Sequence, residues 1–266
     1  MPGPGLILNV LRVKADLALL LSPLALRQGL RLKRTAQRLP EAEGPRQGLV
    51  SAAGPGLRLL AVGESPLAGV GLDRQDQALT ALLAQGLASV LDHSVSWQAA
   101  ARGGVTVKRC LVELAPRLDP GPASLIIIGL GVNDSTRFRT PRRWQQGLAE
   151  LITELRRRHG PAPVVLTGVP DMQRFPLLPE PLALILGLRS RLLDQAAADL
   201  AASLEQVYHA PLPLDAESTA LFCEDGFHPN VEGHCQWAEQ LVGFVVEREI
   251  LGKRSTVRRK ADRRPG

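Results

Sequence analysis

Apolar and polar positions show two different periodicities along residues 57–250. Short, almost wholly apolar runs predict buried strands, and segments with apolar residues three or four positions apart predict amphipathic helices. The predicted strands are 57–62, 94–99, 124–129, 164–169 and 207–210. The predicted helices are 75–91, 105–118, 141–159, 181–206 and 231–250. Since strands and helices alternate, we expect a parallel sheet with helices on both faces, a three-layer α/β/α arrangement.

The N-terminal segment shows a different pattern. Apolar residues recur at helical spacing from residue 6 to residue 17, and the apolar stretch 17–26 is interrupted by Ser22 and Pro23. A helix that spans a bilayer needs about 20 apolar residues, so this stretch is too short. Asp16 at its start, with no small-residue cleavage pattern after it, also argues against a secretory signal.

A helix on a surface, followed by a basic cluster, fits this segment better. The cluster comprises Arg27, Arg31, Lys33, Arg34 and Arg38. The surface is either an anionic membrane or the protein's own body, and both alternatives stay open. Residues 39–56 are rich in Pro, Gly and small side chains, which predicts a linker. We therefore divide the chain into a helical extension with its linker at 1–50, a globular domain at 51–252 and a basic tail at 253–266.

The net charge of +6 is concentrated at the two ends. Residues 1–50 carry +5 and residues 253–266 carry +6, so the body between them is acidic, at −5. A basic tail can bind a polyanion, but a solvated, disordered end is the plainer interpretation. Because the body is acidic, we do not expect nucleic acid as a partner.

The sequence predicts neither a metal nor a cofactor. Three cysteines, Cys110, Cys223 and Cys235, lack paired metal-ligand spacing, and their odd number does not suit a disulfide framework. The glycine pair around Val70 lacks the lysine of a phosphate-binding loop. Any chemistry is therefore expected to come from side chains alone.

Three short polar segments occupy the positions where a parallel sheet places its ligand sites. They read Gly63-Glu64-Ser65 after the first strand, Gly131-Val132-Asn133-Asp134 after the third strand, and Asp225-Gly226-Phe227-His228 before the last helix. A serine becomes a nucleophile when a base removes its proton, and a histidine oriented by a carboxylate is such a base. The three-residue spacing of Asp225 and His228 lets one tight turn supply both groups.

These segments resemble the sequence blocks of the GDSL/SGNH hydrolase superfamily over roughly residues 57–245. The first segment is a variant of the usual GDS block, and Gly103-Gly104 resembles the glycine block, with Gly104 at the matching position. The resemblance implies a flavodoxin-like hydrolase fold over 51–252, with a five-stranded parallel sheet ordered 2-1-3-4-5.

The same resemblance implies a role for each site residue. Ser65 would attack the carbonyl carbon, His228 would act as base and then as acid, and Asp225 would orient His228. The oxyanion hole would consist of the Ser65 N–H, the Gly104 N–H and the side-chain amide of Asn133.

Pro66 bears independently on the kind of serine hydrolase. The nucleophile elbow of an α/β-hydrolase takes an oxyanion donor from the residue after its serine and requires GxSxG. Pro66 has no backbone N–H, and position 67 is leucine. That alternative fold is therefore disfavoured, whereas a site that uses the serine's own N–H is unaffected.

Each candidate residue also has a structural interpretation. Ser65 could cap the next helix, Asn133 and Asp134 could form a turn, and Asp225 with His228 could be a hydrogen-bonded loop pair. The other histidines are expected to be structural; they are His93, His159, His209 and His234.

The resemblance implies a serine esterase that hydrolyses carboxylic esters through an acyl-enzyme. Candidate substrates are lipid-like or lysophospholipid-like esters, short-chain acyl esters and acetylated sugars. The alternative is a membrane-surface binding protein with a vestigial hydrolase site. The expected partners are a small ester and, through the N-terminal helix and the basic ends, a membrane surface. The expected location is the cytoplasm, with membrane association as the open alternative.

Overall fold

The computed structural model describes residues 22–212 and 219–252 of the chain. Its helices are α1 (Ser22–Thr35), α2 (Ser65–Ala68), α3 (Leu79–Leu91), α4 (Val107–Arg109), α5 (Val132–Thr136), α6 (Pro141–His159), α7 (Leu182–Ser203) and α8 (Val231–Glu247). Its strands are β1 (Gln47–Val50), β2 (Gly54–Gly63), β3 (His93–Ala101), β4 (Leu125–Gly129), β5 (Val164–Thr167) and β6 (Val207–Ala210). The predictions for the apolar pattern before residue 22 and for the basic tail at 253–266 lie outside the described residues.

The strands form one sheet in the order β1-β3-β2-β4-β5-β6. The five strands β3, β2, β4, β5 and β6 run parallel, which confirms the expected α/β class. Counted along the chain, these five have the predicted order 2-1-3-4-5. The sixth strand, β1, lies antiparallel to β3 at the edge, so the sheet is larger than predicted by one strand.

The prediction of a plain linker over 39–56 is wrong for part of that segment. Residues 47–50 pair with residues 95–98 of β3, and residues 54–56 belong to β2. The residues between 39 and 46 also contact the body, since the Ala42 N–H donates to the Gly69 carbonyl and the Gly71 N–H to the Pro40 carbonyl. Strand β1 is largely exposed and reads QGLV, so it has no hydrophobic pattern to reveal it. Its partner strand, not its own sequence, makes it a strand.

Each face of the sheet is buried under helices. One face packs Leu60 and Ile126 against α6 and α7, and the other packs Leu59 and Ile127 against α3 and α8. Side chains alternate between faces along a strand, so a strand buried on both faces must be apolar throughout. This explains the continuous run LIIIG of β4, all of whose residues are buried.

Two predicted helices differ from the observed ones. The segment 105–118 is not one α-helix: α4 continues as a π turn at Cys110–Leu114 and a 3₁₀ turn at Ala115–Arg117. Pro116 has no N–H to donate, so it cannot continue an α-helical ladder. The segment 75–91 begins with a separate 3₁₀ turn, Gln75–Gln77, because Ala78 is extended.

Helix α1 packs against α7 and the loop before it. Ala25 is buried in a cluster with Phe175 and Ile185, and the Gln28 amide donates to the Glu180 carbonyl over 2.7 Å. Several larger apolar side chains of α1 remain exposed, among them Leu26 and Leu30. Within the two described ranges, no helix has both the length and the apolar content needed to cross a membrane.

Candidate active site

The register of the central strands brings three loops together. Gly63, the last residue of β2, pairs with Ala101 on β3 and with Gly129 on β4, so all three strands end in one row. A Cβ at Gly63 would lie 2.0 Å from the Gly129 carbonyl oxygen, which explains the glycine at this position. The loops that leave this row carry Ser65, Gly104 and Asn133, respectively.

Ser65 occupies the first position of the one-turn helix α2. Its side chain is nearly buried, and Glu64, not Ser65, is the N-cap residue. The interpretation of Ser65 as a helix cap is therefore wrong. Pro66 fits because the first turn of a helix has no intrahelical acceptor for its N–H groups. Ser65 thus stands at a strand-to-helix turn, over a small cavity of about 50 Å³.

Asp225 and His228 form the expected pair. Asp225 Oδ2 lies 2.6 Å from His228 Nδ1, and Asp225 Oδ1 accepts the backbone N–H groups of Phe227 and His228 at 2.9 and 3.0 Å. One carboxylate therefore shapes the turn and orients the ring, leaving Nε2 as the nitrogen that can take a proton. His228 lines the same small cavity as Ser65, together with Phe227 and Leu130.

Asn133 is held by Glu64, a residue whose role could not be predicted from the sequence. Glu64 Oε1 accepts the Val132 N–H at 2.8 Å, and Oε2 accepts the Asn133 N–H at 3.1 Å. The Asn133 side-chain amide also donates to Oε2. An amide nitrogen carries two hydrogens, so one can hold this contact while the other donates to a substrate. Burial raises the pKa of Glu64 to about 7.

The two adjacent glycines after β3 are distinguished by their hydrogen bonds. The Gly103 N–H donates to Glu41 Oε1 over 2.7 Å, so it is engaged with the segment predicted as a linker. Glu41 is in turn paired with Arg46 at 2.5 Å. Gly104 has a φ of +74°, which favours glycine, and among the described residues nothing beyond its chain neighbours lies within 4 Å of the position of its Cβ. Because the Gly103 N–H is already engaged, Gly104 is the better candidate of the two for an oxyanion donor.

Asp134 joins the loops of Gly104 and Asn133. It is fully buried, and its Oδ2 accepts the Val107 N–H at 2.9 Å, while Oδ1 receives the Arg139 guanidinium at 2.6 Å. Burial raises the pKa of this carboxyl. Asp134 therefore connects the end of β4 to α4. Asn133 and Asp134 lie in the first turn of helix α5, which begins at Val132, so they do more than form a turn.

The other histidines have structural surroundings. His93 Nδ1 lies 2.6 Å from the Leu91 carbonyl, and His209 Nε2 lies 2.7 Å from Asp194. His159 is buried beside the Gly121 carbonyl, and burial lowers its pKa. His234 is completely buried in α8, and burial lowers its pKa to about 4. None of them lines the Ser65 cavity.

The cysteines are free thiols, and burial raises the pKa of Cys110 to about 12. Among residues 22–212 and 219–252, no group of His, Cys, Asp or Glu side chains has the geometry to hold a metal ion. What the geometry offers is a serine and a carboxylate-oriented imidazole that line one apolar cavity, with the amides of Gly104 and Asn133 on the neighbouring loops. Acyl transfer requires groups of these types.

A sequence profile of the GDSL-like lipase/acylhydrolase family matches residues 61–235, about two thirds of the chain. The chain belongs to this family. As a family member it is a carboxylic ester hydrolase of the GDSL type. The match spans Ser65, Gly104, Asn133, Asp225 and His228, and it begins after α1.

Solved structures give the same fold assignment to this GDSL-family hydrolase. The structure titled as TesA is 26% identical, with a TM-score of 0.54, over 71% of this chain and 97% of that one. The psychrotrophic esterase EstA from Pseudoalteromonas sp. is 18% identical, with a TM-score of 0.55, over 72% and 97% of the two chains. The lipase/acylhydrolase from Enterococcus faecalis is 20% identical, with a TM-score of 0.54, over 72% and 96%. A direct sequence comparison with curated proteins finds no match.

Proposed function

We propose that this hydrolase cleaves apolar carboxylic esters through an acyl-enzyme on Ser65. The observation that carries the proposal is the Asp225–His228 contact of 2.6 Å on the rim of the cavity that Ser65 lines. A histidine oriented by a carboxylate makes a serine nucleophilic when it takes the hydroxyl proton, and Ser65 and His228 line the same cavity.

In the first half-reaction, His228 Nε2 takes the Ser65 proton as Oγ forms a bond to the ester carbonyl carbon. The carbonyl oxygen becomes an oxyanion, which the N–H groups of Ser65 and Gly104 and the Asn133 amide stabilise. Collapse of this intermediate breaks the bond to the alcohol oxygen, and the alcohol leaves with the proton from His228. Each such donor typically contributes about 10²–10³ in rate.

In the second half-reaction, His228 takes a proton from water as the water oxygen attacks the acyl carbon. The bond to Ser65 Oγ then breaks, Ser65 regains its proton from His228, and the carboxylic acid is released. Asp225 stays ionised throughout and stabilises the imidazolium that forms in each half. The apolar lining of the cavity, which includes Leu67, Leu130 and Phe227, supports an apolar substituent on the ester.

Labelling with a fluorophosphonate probe tests this proposal. The wild type should be labelled and should hydrolyse p-nitrophenyl acetate, and Ser65→Ala should lose both properties. The matched control is Ser96→Ala on β3, whose hydroxyl donates to the Leu57 carbonyl away from the cavity, and it should keep both. Labelling or turnover that persists in Ser65→Ala would contradict the proposal. A wild type that neither labels nor turns over would support a vestigial site in a surface-binding protein.

A further inference from the structure

A second, much larger groove reaches the same histidine from outside. It encloses about 880 Å³, against about 50 Å³ for the cavity beside Ser65. Both are lined by Phe227 and His228, so the groove opens directly onto the proposed base. A substituent of an ester bound at Ser65 could therefore extend past Phe227 and His228 into this groove.

One wall of the groove is a stripe along α1. Leu26, Gly29, Leu30 and Lys33 line it at spacings of three, four and seven residues, which is one face of a helix. The facing wall consists of apolar residues of α7 and the loop before it, such as Leu178 and Ile185. Because α1 lies before residue 61, where the family match begins, this wall is an addition to the matched region.

Three exposed apolar side chains line this groove together. Leu26 is 65% exposed, Leu30 is 50% exposed and Phe138 is 48% exposed, and all three line it. Such side chains in one concave patch indicate a binding surface, whereas scattered ones would need no explanation. Phe138 also has a φ of +52°, a strained conformation for a bulky residue, and Arg189 lies over its ring.

We propose that α1 is a specificity element that, with α7, binds the unbranched aliphatic chain of the ester substrate. The proposal rests on the proposed function, since His228, the proposed base, is also a lining residue of the groove. The chain could belong to the acyl half or to the alcohol half of the ester. Each methylene of the chain that is buried in the groove should raise kcat/KM about fourfold.

Two substrate series at concentrations below micelle formation test the proposal. The first varies the acyl chain of p-nitrophenyl esters from acetate to decanoate, and the second varies the alcohol chain of alkyl acetates. We expect kcat/KM to rise with chain length in one series, which identifies the half that occupies the groove. A flat profile in both series, with turnover that still depends on Ser65, would overturn the inference and leave the proposed function intact.

The decisive variant is Gly29→Phe. Among the described residues, nothing beyond the adjacent backbone lies within 4 Å of a Cβ at Gly29, so a phenyl ring there can occupy part of the groove without displacing α1. The ratio of kcat/KM for the long ester to that for the shortest ester should fall about fifteenfold if the ring displaces two methylenes of the chain. The shortest ester serves as the internal measure of folded enzyme.

Two control variants separate the groove from α1 in general. Leu24→Arg changes an exposed leucine of the same helix that does not line the groove, and Gly243→Phe adds a ring at an open position on α8. Both should keep the wild-type ratio. An unchanged ratio in Gly29→Phe, or an equal loss in Leu24→Arg, would overturn the assignment of α1 as the chain-binding wall.

Discussion

Replacing Glu64 with glutamine tests both the stability and the chemistry that we assign to this buried carboxyl. Glu64 is 4% exposed, and burial raises its pKa from the ordinary 4.5 to about 7. Below pH 4.5 the folded and unfolded chains both hold this proton. As the pH rises the unfolded chain loses its proton first, so the free energy of unfolding falls until the folded carboxyl also ionises near pH 7.

The size of this effect follows from the two pKa values. One pKa unit corresponds to about 1.4 kcal/mol, so the rise to about 7 corresponds to about 3 kcal/mol of stability lost between pH 4.5 and 7. His234 works in the opposite direction, because its pKa is lowered to about 4 and its contribution is lost as the pH falls from 6.5. The pH dependence of the wild-type free energy of unfolding therefore contains opposite contributions from Glu64 and His234.

The difference between wild type and Glu64→Gln isolates the carboxyl, because both proteins keep His234. Urea unfolding at several pH values from 4.5 to 8 should give a wild-type-minus-variant free energy that falls by about 3 kcal/mol across this range. A difference that is constant, or that rises with pH, would refute the assignment of a raised pKa to Glu64.

The same variant should impair catalysis through Asn133. A glutamine amide presents N–H groups where Glu64 Oε2 accepts two donors from Asn133, so the Asn133 side chain loses its support. We expect kcat to fall by about 10–10², less than the loss of a complete oxyanion donor. Glu64→Asp keeps an acceptor and restores the usual family motif, so it should retain more activity than Glu64→Gln. Equal activity of Glu64→Gln and wild type would contradict the positioning role.

Further predictions concern the remaining site residues. Asn133→Ala should lower kcat by about 10²–10³ with little change in the unfolding midpoint, as measured with p-nitrophenyl acetate and by denaturation. Asp225→Asn should keep the loop contacts but lower kcat by about 10⁴, because His228 loses its orienting charge, and activity near the wild-type level would argue against the triad. Asp134→Ala should cost about 2–3 kcal/mol in urea unfolding, since it orphans the Val107 N–H and one Arg139 contact. Cys110 should resist a thiol reagent at pH 8 until the chain is unfolded, as read by mass spectrometry.

The sequence could predict those site residues whose role depends on residue type and on spacing along the chain. Asp225 and His228 are three positions apart, and one turn holds them in contact, so their pairing follows from local sequence. The supports could not be predicted in this way. Glu64 and Asn133 are 69 residues apart, and Glu41 and Gly103 are 62 apart, so only the folded sheet brings each pair together.

What the sequence determined by itself was the alternation of buried strands and amphipathic helices, because hydrophobic periodicity is a local property of the chain. The order of the five parallel strands was expected from the family resemblance and not from periodicity. Tertiary structure alone decided that 47–50 would be an edge strand, since its backbone pairing depends on β3 and not on its own side chains. It also decided that α1 lines a groove that reaches His228, because α1, α7 and the loop of His228 are distant from one another in the sequence.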